Sequence, residues 1–194
     1  MNYAGHPGDG RAVCADDNGI RTAPRLETGR LVLRGFTAAD FDAYHATMQD
    51  PDVMRYLGAE PLNREEATRR MTLFTGFWAL QGRGMWAVTL KDGGPTVGHV
   101  GLFDLRRDMQ PSIEGMPEMG WIFDRSVHGQ GIAYEACRAA LDWHDSTYGA
   151  VEIPAIIAPA NTASMKLAER LDFVRDADAI YKGEAIALFR RPAG

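Results

Sequence analysis

The chain has 194 residues, of which 45% are hydrophobic, and it carries 21 Lys and Arg against 26 Asp and Glu, a net charge of −5. This composition fits one globular domain with its own core and argues against a disordered or repeat protein. No dense Lys/Arg cluster forms a basic stripe, so nucleic acid is not expected as a partner, and no uncharged stretch approaches the roughly 20 apolar residues that span a membrane.

The N-terminus lacks the continuous apolar region of a signal peptide, so we predict a soluble cytoplasmic protein with no membrane partner. The two cysteines, Cys14 and Cys137, form neither a disulfide framework nor a metal pair. The five histidines show no HExxH or similar ligand spacing. We therefore predict no metal.

Residues 1–24 are rich in Gly, Asp and Asn and lack periodicity, which predicts a mobile tail. A single folded domain is then expected over residues 25–194. Its first strand is predicted in the apolar run at residues 31–33. A first helix should begin at Thr37, which can cap it, with Asp40 as the acidic residue three positions later.

The Asp50-Pro51 pair is expected to break this first helix, because proline has no N–H group with which to continue it. A second helix is predicted to start at Asn63, another capping residue, and to end near Gly82. Between these two positions, apolar residues recur at helical spacing.

The middle of the chain changes to a strand-like period. Residues 85–90 and 96–105 are predicted strands, and the Gly-rich turn at residues 92–95 joins them as a hairpin. A further strand at residues 119–123 leads towards a helix over residues 132–149. The remaining predicted elements are a strand at residues 151–158, a helix from Asn161 to Leu171, and a hairpin at residues 173–180 and 185–190.

The predicted order is one strand, two helices, three strands, a helix, a strand, a helix and two strands. This order indicates a mixed α/β domain (α+β) and not a regular βαβ series. A doubly wound nucleotide-binding fold is therefore disfavoured.

Residues 128–136 place two glycines, Gly129 and Gly131, at the start of a predicted helix. Glycines allow a tight turn whose N–H groups can bind an anion at the positive end of the helix. The segment lacks the Lys-Ser/Thr pair of a P-loop and the full GxGxxG of a dinucleotide fold. The alternative interpretation is a tight turn between strand and helix with no ligand.

Four segments in order, residues 25–34, 50–57, 128–136 and 161–164, resemble the GCN5-related N-acetyltransferase (GNAT) superfamily, and most closely its ribosomal-protein (RimJ/RimL-like) branch. The resemblance extends over residues 25–191. It implies a single domain with a central, mostly antiparallel sheet that splays between its fourth and fifth strands and is flanked by four helices.

The resemblance also implies acetyl-CoA as cosubstrate. Its pantetheine arm would lie between the strands at residues 119–123 and 151–158 and bind their unpaired backbone groups. Ser126 departs from the family pattern, which has Gln or Arg three residues before the first glycine; Arg125 could take over part of that role. The residues implied in pyrophosphate binding are His128, Gly129, Gln130, Gly131, Ile132 and Ala133.

In the family, the acetyl group passes directly to an amine in a ternary complex. By resemblance, backbone N–H groups of Ile122 and Phe123 stabilise the oxyanion, Asn161 contacts the pantetheine, and Ser164 protonates the departing thiolate. Asn161 and Ser164 would project from one face of their helix. The alternative for this pair is an ordinary helix cap and first turn.

Glu118, just before the strand at the splay, is the candidate general base, directly or through water. The alternative is a solvated carboxylate at a strand end. Asp104, Asp124 and His128 are other candidates, because a sequence does not reveal a pKa.

The resemblance implies an acetyl-CoA-dependent N-acetyltransferase that acts on a primary amine, with the N-terminal α-amine of a protein as the expected acceptor. A small-molecule amine such as an aminoglycoside or polyamine is the competing acceptor. Other functions left open are a non-catalytic acyl-CoA-binding module and, less favoured, a nucleotide-phosphate binder. The oligomeric state stays open between a monomer and a homodimer.

Overall fold

The computed structural model describes residues 14–15, 19–57 and 60–194. Most of the predicted tail, residues 1–24, lies outside these ranges. The strands are β1 (Cys14–Ala15), β2 (Arg21–Thr22), β3 (Leu26–Glu27), β4 (Leu31–Arg34), β5 (Met85–Leu90), β6 (Gly98–Phe103), β7 (Glu118–Phe123), β8 (Ile153–Ile157), β9 (Val174–Tyr181) and β10 (Glu184–Arg191). The α-helices are α1 (Phe41–Gln49), α2 (Pro51–Met54), α3 (Arg64–Gln81), α4 (Ile132–Tyr148) and α5 (Thr162–Arg170).

The strands of the domain form two antiparallel sheets that meet at a boundary between β7 and β8. One sheet has the order β3-β4-β5-β6-β7 and the other the order β8-β10-β9, while β1 and β2 pair separately. β7 and β8 lie side by side, yet no ladder joins them. The predicted mixed α/β fold, with a sheet that opens between its fourth and fifth long strands, is confirmed.

The described residues contain five α-helices and not the predicted four, because the expected break at Asp50 and Pro51 is itself a short helix. Asp50 Oδ1 accepts a hydrogen bond from the N–H group of Asp52 at 2.9 Å and so caps α2. Pro51 occupies the first helical position, where its missing N–H group would have no intrahelical partner anyway. Proline therefore ends α1 and starts α2.

The predicted ends of the longer helices are confirmed. Asn63 Oδ1 accepts from the N–H group of Glu66 at 2.9 Å, and Glu66 Oε2 accepts from that of Asn63 at 3.0 Å. This reciprocal pair satisfies two N–H groups at the start of α3. Gly82 ends α3 with φ of 70°, and Gly149 ends α4 with φ of 81°, conformations that favour glycine.

The two faces of the five-stranded sheet bury different helices. α4 packs on one face in a cluster that includes Val100 and Leu102 of β6 and continues onto β8 and β10. α1 and α3 pack on the opposite face, against Met85 and Phe103. The segment at residues 104–117 covers the three-stranded sheet on its side away from α4. Helices α1 and α3 and this segment therefore flank the same side of the boundary between the sheets.

Two buried histidines are expected to make the fold sensitive to acid. His99 lies among the rings of Phe36, Tyr44 and Phe74, and His144 on α4 is fully buried. Burial lowers the pKa of His99 to about 3, helped by the positive charge of Arg70. Burial likewise lowers the pKa of His144 to about 4, with a further contribution from a nearby arginine.

Because both folded-state pKa values lie below the ordinary value of 6.5, the unfolded chain binds more protons below pH 6.5. Each histidine should therefore cost about 2 kcal/mol of unfolding free energy at pH 5 relative to neutral pH. Urea unfolding at the two pH values measures this loss. Substituting either His99 or His144 by Leu should flatten the pH dependence, and equal unfolding free energies in the parent protein would contradict the assignment.

Candidate functional site

The free edge of β7 faces the boundary between the sheets. The N–H group of Asp124 donates to the carbonyl of Val97 at 2.9 Å, which makes this a hydrogen-bonded pair of the antiparallel ladder. Such pairs alternate, so Ile122 bonds to His99 of β6, whereas the backbone groups of Phe123 point away from β6. Of the two residues predicted to serve the oxyanion, Phe123 therefore presents its N–H group to the opening.

The same alternation turns the backbone of Trp121 towards the opening, a position that the sequence reasoning had not assigned to the site. On the other side, β8 contains Pro154, which pairs with Arg190 of β10. Proline has no N–H group to donate and is confined to edges of sheets. A proline inside a predicted strand was thus a signal in the sequence that β8 is an edge.

The glycine turn follows directly from the open edge of β7. Gly129 and Gly131 have φ of 73° and 76°, and a Cβ atom built on Gly129 would meet no atom within 4 Å. Among the described residues, the N–H groups from Gly129 to Ala133 have no hydrogen-bond acceptor. Unpaired N–H groups at the start of a long helix, in a turn open to solvent, suit a bound phosphate.

Side chains of the turn fold back onto the backbone. His128 Nε2 lies 3.0 Å from the carbonyl oxygen of Phe123, and Gln130 Nε2 donates to the carbonyl of Ser126 at 2.7 Å. Ile132 is buried in the core and Ala133 packs against it. The six residues predicted for the pyrophosphate thus form one turn in which the backbone, and not the side chains, is available.

Arg30 and Glu135 brace the turn from outside, and the sequence reasoning had not placed Arg30 there. Arg30 Nη1 donates to the carbonyl of Gln130 at 2.9 Å, and its guanidinium pairs with Glu135 at 2.7 Å. Burial alone would raise the pKa of Glu135, but bonds from Thr28 and Arg30 outweigh it and lower the pKa. Glu135 therefore ties α4 to the β3–β4 turn.

The position that departs from the family pattern, Ser126, lies exposed in a short 3-10 turn. Its N–H group donates to Asp124 Oδ1 at 2.9 Å. The neighbouring Arg125 pairs with Asp52 of α2 at 2.6 Å. Arg125 is thus engaged with α2, and Arg30 is the arginine that contacts the glycine turn.

Asn161 and Ser164 stand together at the start of α5, as predicted. Asn161 Oδ1 accepts from the N–H group of Ser164 at 3.1 Å, so Asn161 caps the helix. The Ser164 hydroxyl is partly exposed and has no hydrogen-bond partner among the described residues. The capping bond uses the side-chain oxygen of Asn161 and leaves its side-chain nitrogen free of bonds within the described part of the chain, and the hydroxyl of Ser164 also stays available.

Glu118 is buried at the start of β7 and is not the solvated strand-end carboxylate of the alternative reading. Its oxygens accept from Arg107 Nε at 2.6 Å and Arg107 Nη2 at 2.8 Å. Burial raises the pKa of Glu118, although the Arg107 guanidinium opposes the rise. A raised pKa suits a general base that must accept a proton near neutral pH.

The other candidate bases have local partners. Asp104 accepts from the N–H groups of Arg106 at 2.8 Å and Gly115 at 3.0 Å. Asp124 caps the 3-10 turn and also accepts from Thr47 at 3.4 Å. Both carboxylates therefore hold loops in place.

The described surface includes two grooves, and the second is lined by Arg30, Gly131 and Glu135. One, of about 710 Å³, lies between the start of α1 and α3 and is lined by residues such as Phe36, Phe41 and Met71. The other, of about 900 Å³, runs along α4 from Gly131 to the end of α5, where Arg170 stacks on Tyr134. The second groove therefore continues outward from the glycine turn.

Within the part of the chain that the structure describes, no helix is long and apolar enough to cross a membrane. The same residues contain no group of three or more His, Cys, Asp or Glu side chains placed to hold a metal ion.

Comparison with known proteins places this arrangement in a family. A family profile described as acetyltransferase (GNAT) domain matches residues 30–174. The Bacillus licheniformis protein named N-acetyltransferase p20 is 27% identical over 152 residues, which are 78% of this chain and 83% of that protein.

Solved structures agree. A protein from Bordetella pertussis named as a GnaT-family acetyltransferase is 32% identical with a TM-score of 0.77, covering 87% of this chain and 99% of that one. RimL, a ribosomal L7/L12 alpha-N-protein acetyltransferase solved with coenzyme A, has a TM-score of 0.70 at 16% identity, a likeness of fold alone over 87% of this chain and 98% of that one. The chain therefore belongs to the GNAT family of acetyltransferases and is an N-acetyltransferase.

Proposed function

We propose that the protein transfers an acetyl group from acetyl-CoA to a primary amine, and that the acceptor is the N-terminal α-amine of a protein. The observation that carries the first part is the open edge of β7, which continues into a glycine turn with unpaired N–H groups. An extended ligand ending in a phosphate matches both features, because a strand edge binds a peptide-like arm and a helix start binds an anion.

The residues present fit coenzyme A. Trp121 and Phe123 turn backbone groups towards the opening, where amides of a pantetheine arm would find partners. The N–H groups from Gly129 to Ala133 would hold the pyrophosphate, and the groove along α4 leaves room beyond it. Acetyl-CoA supplies an activated thioester.

The chain's own groups would then perform three tasks. The N–H group of Phe123 would stabilise negative charge on the carbonyl oxygen, whereas that of Ile122 points towards His99 of β6. Glu118 would accept the proton of the attacking amine, directly or through water, and Ser164 would donate one to the departing sulfur. Asn161 would contact the pantetheine through the amide nitrogen that its capping role leaves over.

The choice of a protein N-terminus follows the likeness to the RimJ/RimL-like branch, in which RimL is named for that reaction. The expected binding surface is the side of the boundary flanked by α1, α3 and residues 104–117. A free amine such as a polyamine or aminoglycoside would use the same thioester and differ only in what that side recognises.

Release of free thiol tests this function. The protein is incubated with acetyl-CoA and a panel of peptides with free N-termini, polyamines and aminoglycosides, and N-terminally acetylated peptides serve as the matched control. We expect thiol release with free N-termini and none with the blocked ones. Turnover with only the small amines would show that the acceptor is a small amine and not a protein N-terminus, while the acetyl-transfer reaction would stand.

Acetyl-CoA by itself is expected to raise the melting temperature, because a ligand that binds only the folded state stabilises it by about 2.7 kcal/mol at a hundred times its dissociation constant. Differential scanning fluorimetry with and without acetyl-CoA measures the shift. Adenosine, which has neither the pyrophosphate nor the pantetheine arm, serves as the control for nonspecific effects. A shift with no turnover of any amine would favour a non-catalytic acyl-CoA-binding module, and the absence of a shift would contradict the proposed cosubstrate site.

A further inference from the structure

The connection between β6 and β7 links the two sheets at the end of the opening opposite the glycine turn. Residues 104–117 leave the five-stranded sheet after Phe103 and pack on the three-stranded sheet. Met109 and Ile113 are buried there, and Gln110 forms a bridge with Ile180 of β9. The chain then returns to the first sheet at Glu118.

Arg107, within this connection, touches both sheets at once. Its guanidinium forms two parallel hydrogen bonds with Glu118 on the edge of the first sheet. The same group lies over the ring of Tyr181 on β9, 4.8 Å from the ring centroid. The side chains of Arg107 and Glu118 are only 14% and 4% exposed. One part-buried cation thus links the two sheets.

The backbone around Arg107 is tightly determined. Arg106 has φ of 49°, a region that non-glycine residues rarely adopt, and its N–H group donates to Asp104. Asp104 also accepts from the N–H group of Gly115, which closes the two ends of the connection together. The backbone of Asp104 exchanges hydrogen bonds of 2.8 and 2.9 Å with the side chain of Gln81 on α3. The chain leading into Arg107 is therefore fixed by contacts with Gly115 and with Gln81 of α3.

We infer that Arg107 is a positioning residue that holds Glu118, through a two-pronged ion pair braced on Tyr181, as the carboxylate that receives the acceptor amine. The inference rests on the proposed function. A carboxylate has about four lone-pair sites, and the two bonds from Arg107 use two of them, so the others remain for an amine or water. A buried carboxylate without such a partner would take up a proton and lose its ability to accept one.

Arg107→Met removes the charge and the fork while keeping a long apolar side chain. For the acceptor, we expect kcat/KM to fall by about tenfold or more and its acid limb to move to higher pH by about one unit or more. Binding of acetyl-CoA should stay unchanged, because the glycine turn lies at the other end of β7. Arg107→Lys keeps the positive charge but loses the two-pronged geometry. In this variant the acid limb should lie close to that of the parent protein, while kcat/KM should stay below the parent's value.

The matched control is Arg191→Met. Arg191 forms a similar two-pronged pair with Asp145, at 3.1 and 2.5 Å, and its side chain is also 14% exposed, but the pair lies at the far end of α4. This variant should lose stability without a change in the pH profile. An Arg107→Met enzyme with the parent's acid limb and the parent's kcat/KM would overturn the inference.

A second measurement separates this inference from the proposed function. The carbon-13 signal of the Glu118 carboxyl, assigned with Glu118→Gln, reports its ionisation without any turnover. We expect this signal to titrate at higher pH in Arg107→Met than in the parent protein, and an unchanged titration would overturn the positioning role. Thiol release absent from the parent protein with every amine would instead refute the proposed function, even if the titration moved as expected.

Discussion

Gly131→Asp is expected to weaken the binding of acetyl-CoA by about a hundredfold, which corresponds to ~2.7 kcal/mol. Gly131 precedes the first residue of α4 with φ of 76°, and its N–H group is among those left without an acceptor. A carboxylate at this position would lie within a few ångströms of the pyrophosphate, where like charges repel by about 3 kcal/mol near a protein surface. Isothermal titration calorimetry measures the dissociation constant.

Gly149→Asp provides the matched control, because Gly149 lies at the opposite end of the same helix with φ of 81°. Both glycines are exposed and have a positive φ, so an Asp side chain costs about 1 kcal/mol or more at either position. Both variants should therefore lose stability, and only Gly131→Asp should also lose affinity for acetyl-CoA. If Gly131→Asp binds acetyl-CoA as tightly as Gly149→Asp does, the pyrophosphate does not lie at this turn.

Ser164→Ala is expected to lower kcat by about a hundredfold, since a positioned proton donor contributes at least that factor in typical enzymes. The hydroxyl is partly exposed and without a partner among the described residues, so its loss leaves no buried group unsatisfied. The dissociation constant of acetyl-CoA should change little. Stopped-flow or steady-state thiol release at saturating acetyl-CoA and acceptor measures kcat.

Ser146→Ala is the control for this substitution. Ser146 lies near the end of α4, and its hydroxyl donates to the carbonyl of Trp143 at 2.8 Å, remote from the opening between the sheets. Its removal should leave kcat within a factor of about two. A Ser164→Ala enzyme with the parent's kcat would exclude Ser164 as the proton donor.

The glycine turn and the start of α5 were both recognisable in the sequence, but the free hydroxyl of Ser164 was not. The glycine turn was recognisable in the sequence, because Gly129 and Gly131 occupy conformations that depend on a few neighbouring residues. The cap at Asn161 was recognisable for the same reason, since its bond to Ser164 spans three residues. Whether the Ser164 hydroxyl would be free or bonded to a distant group could be judged only after folding.

Local patterns in the sequence therefore determined the helix starts and ends, the hairpins and the order of elements that indicates the mixed α/β fold. The short helix α2 is an exception, because Asp50 and Pro51 serve equally as a break and as a new start. Several later contacts had no local signal. Arg30 contacts Gln130, which lies 100 positions further along the chain, and Tyr181 at the end of β9 contacts Arg107 in the connection between β6 and β7.

The candidate base Glu118 shows the same difference between a local signal in the sequence and contacts made by distant segments. The sequence identified Glu118 by its place before a strand, but its burial and its ion pair with Arg107 follow from how residues 104–117 cross between the sheets. Where the chain turns, and which residues can cap a helix or donate or accept a proton, follow from neighbouring residues. Which backbone edges stay open and which charges are paired depend on segments far apart in the chain that folding brings together.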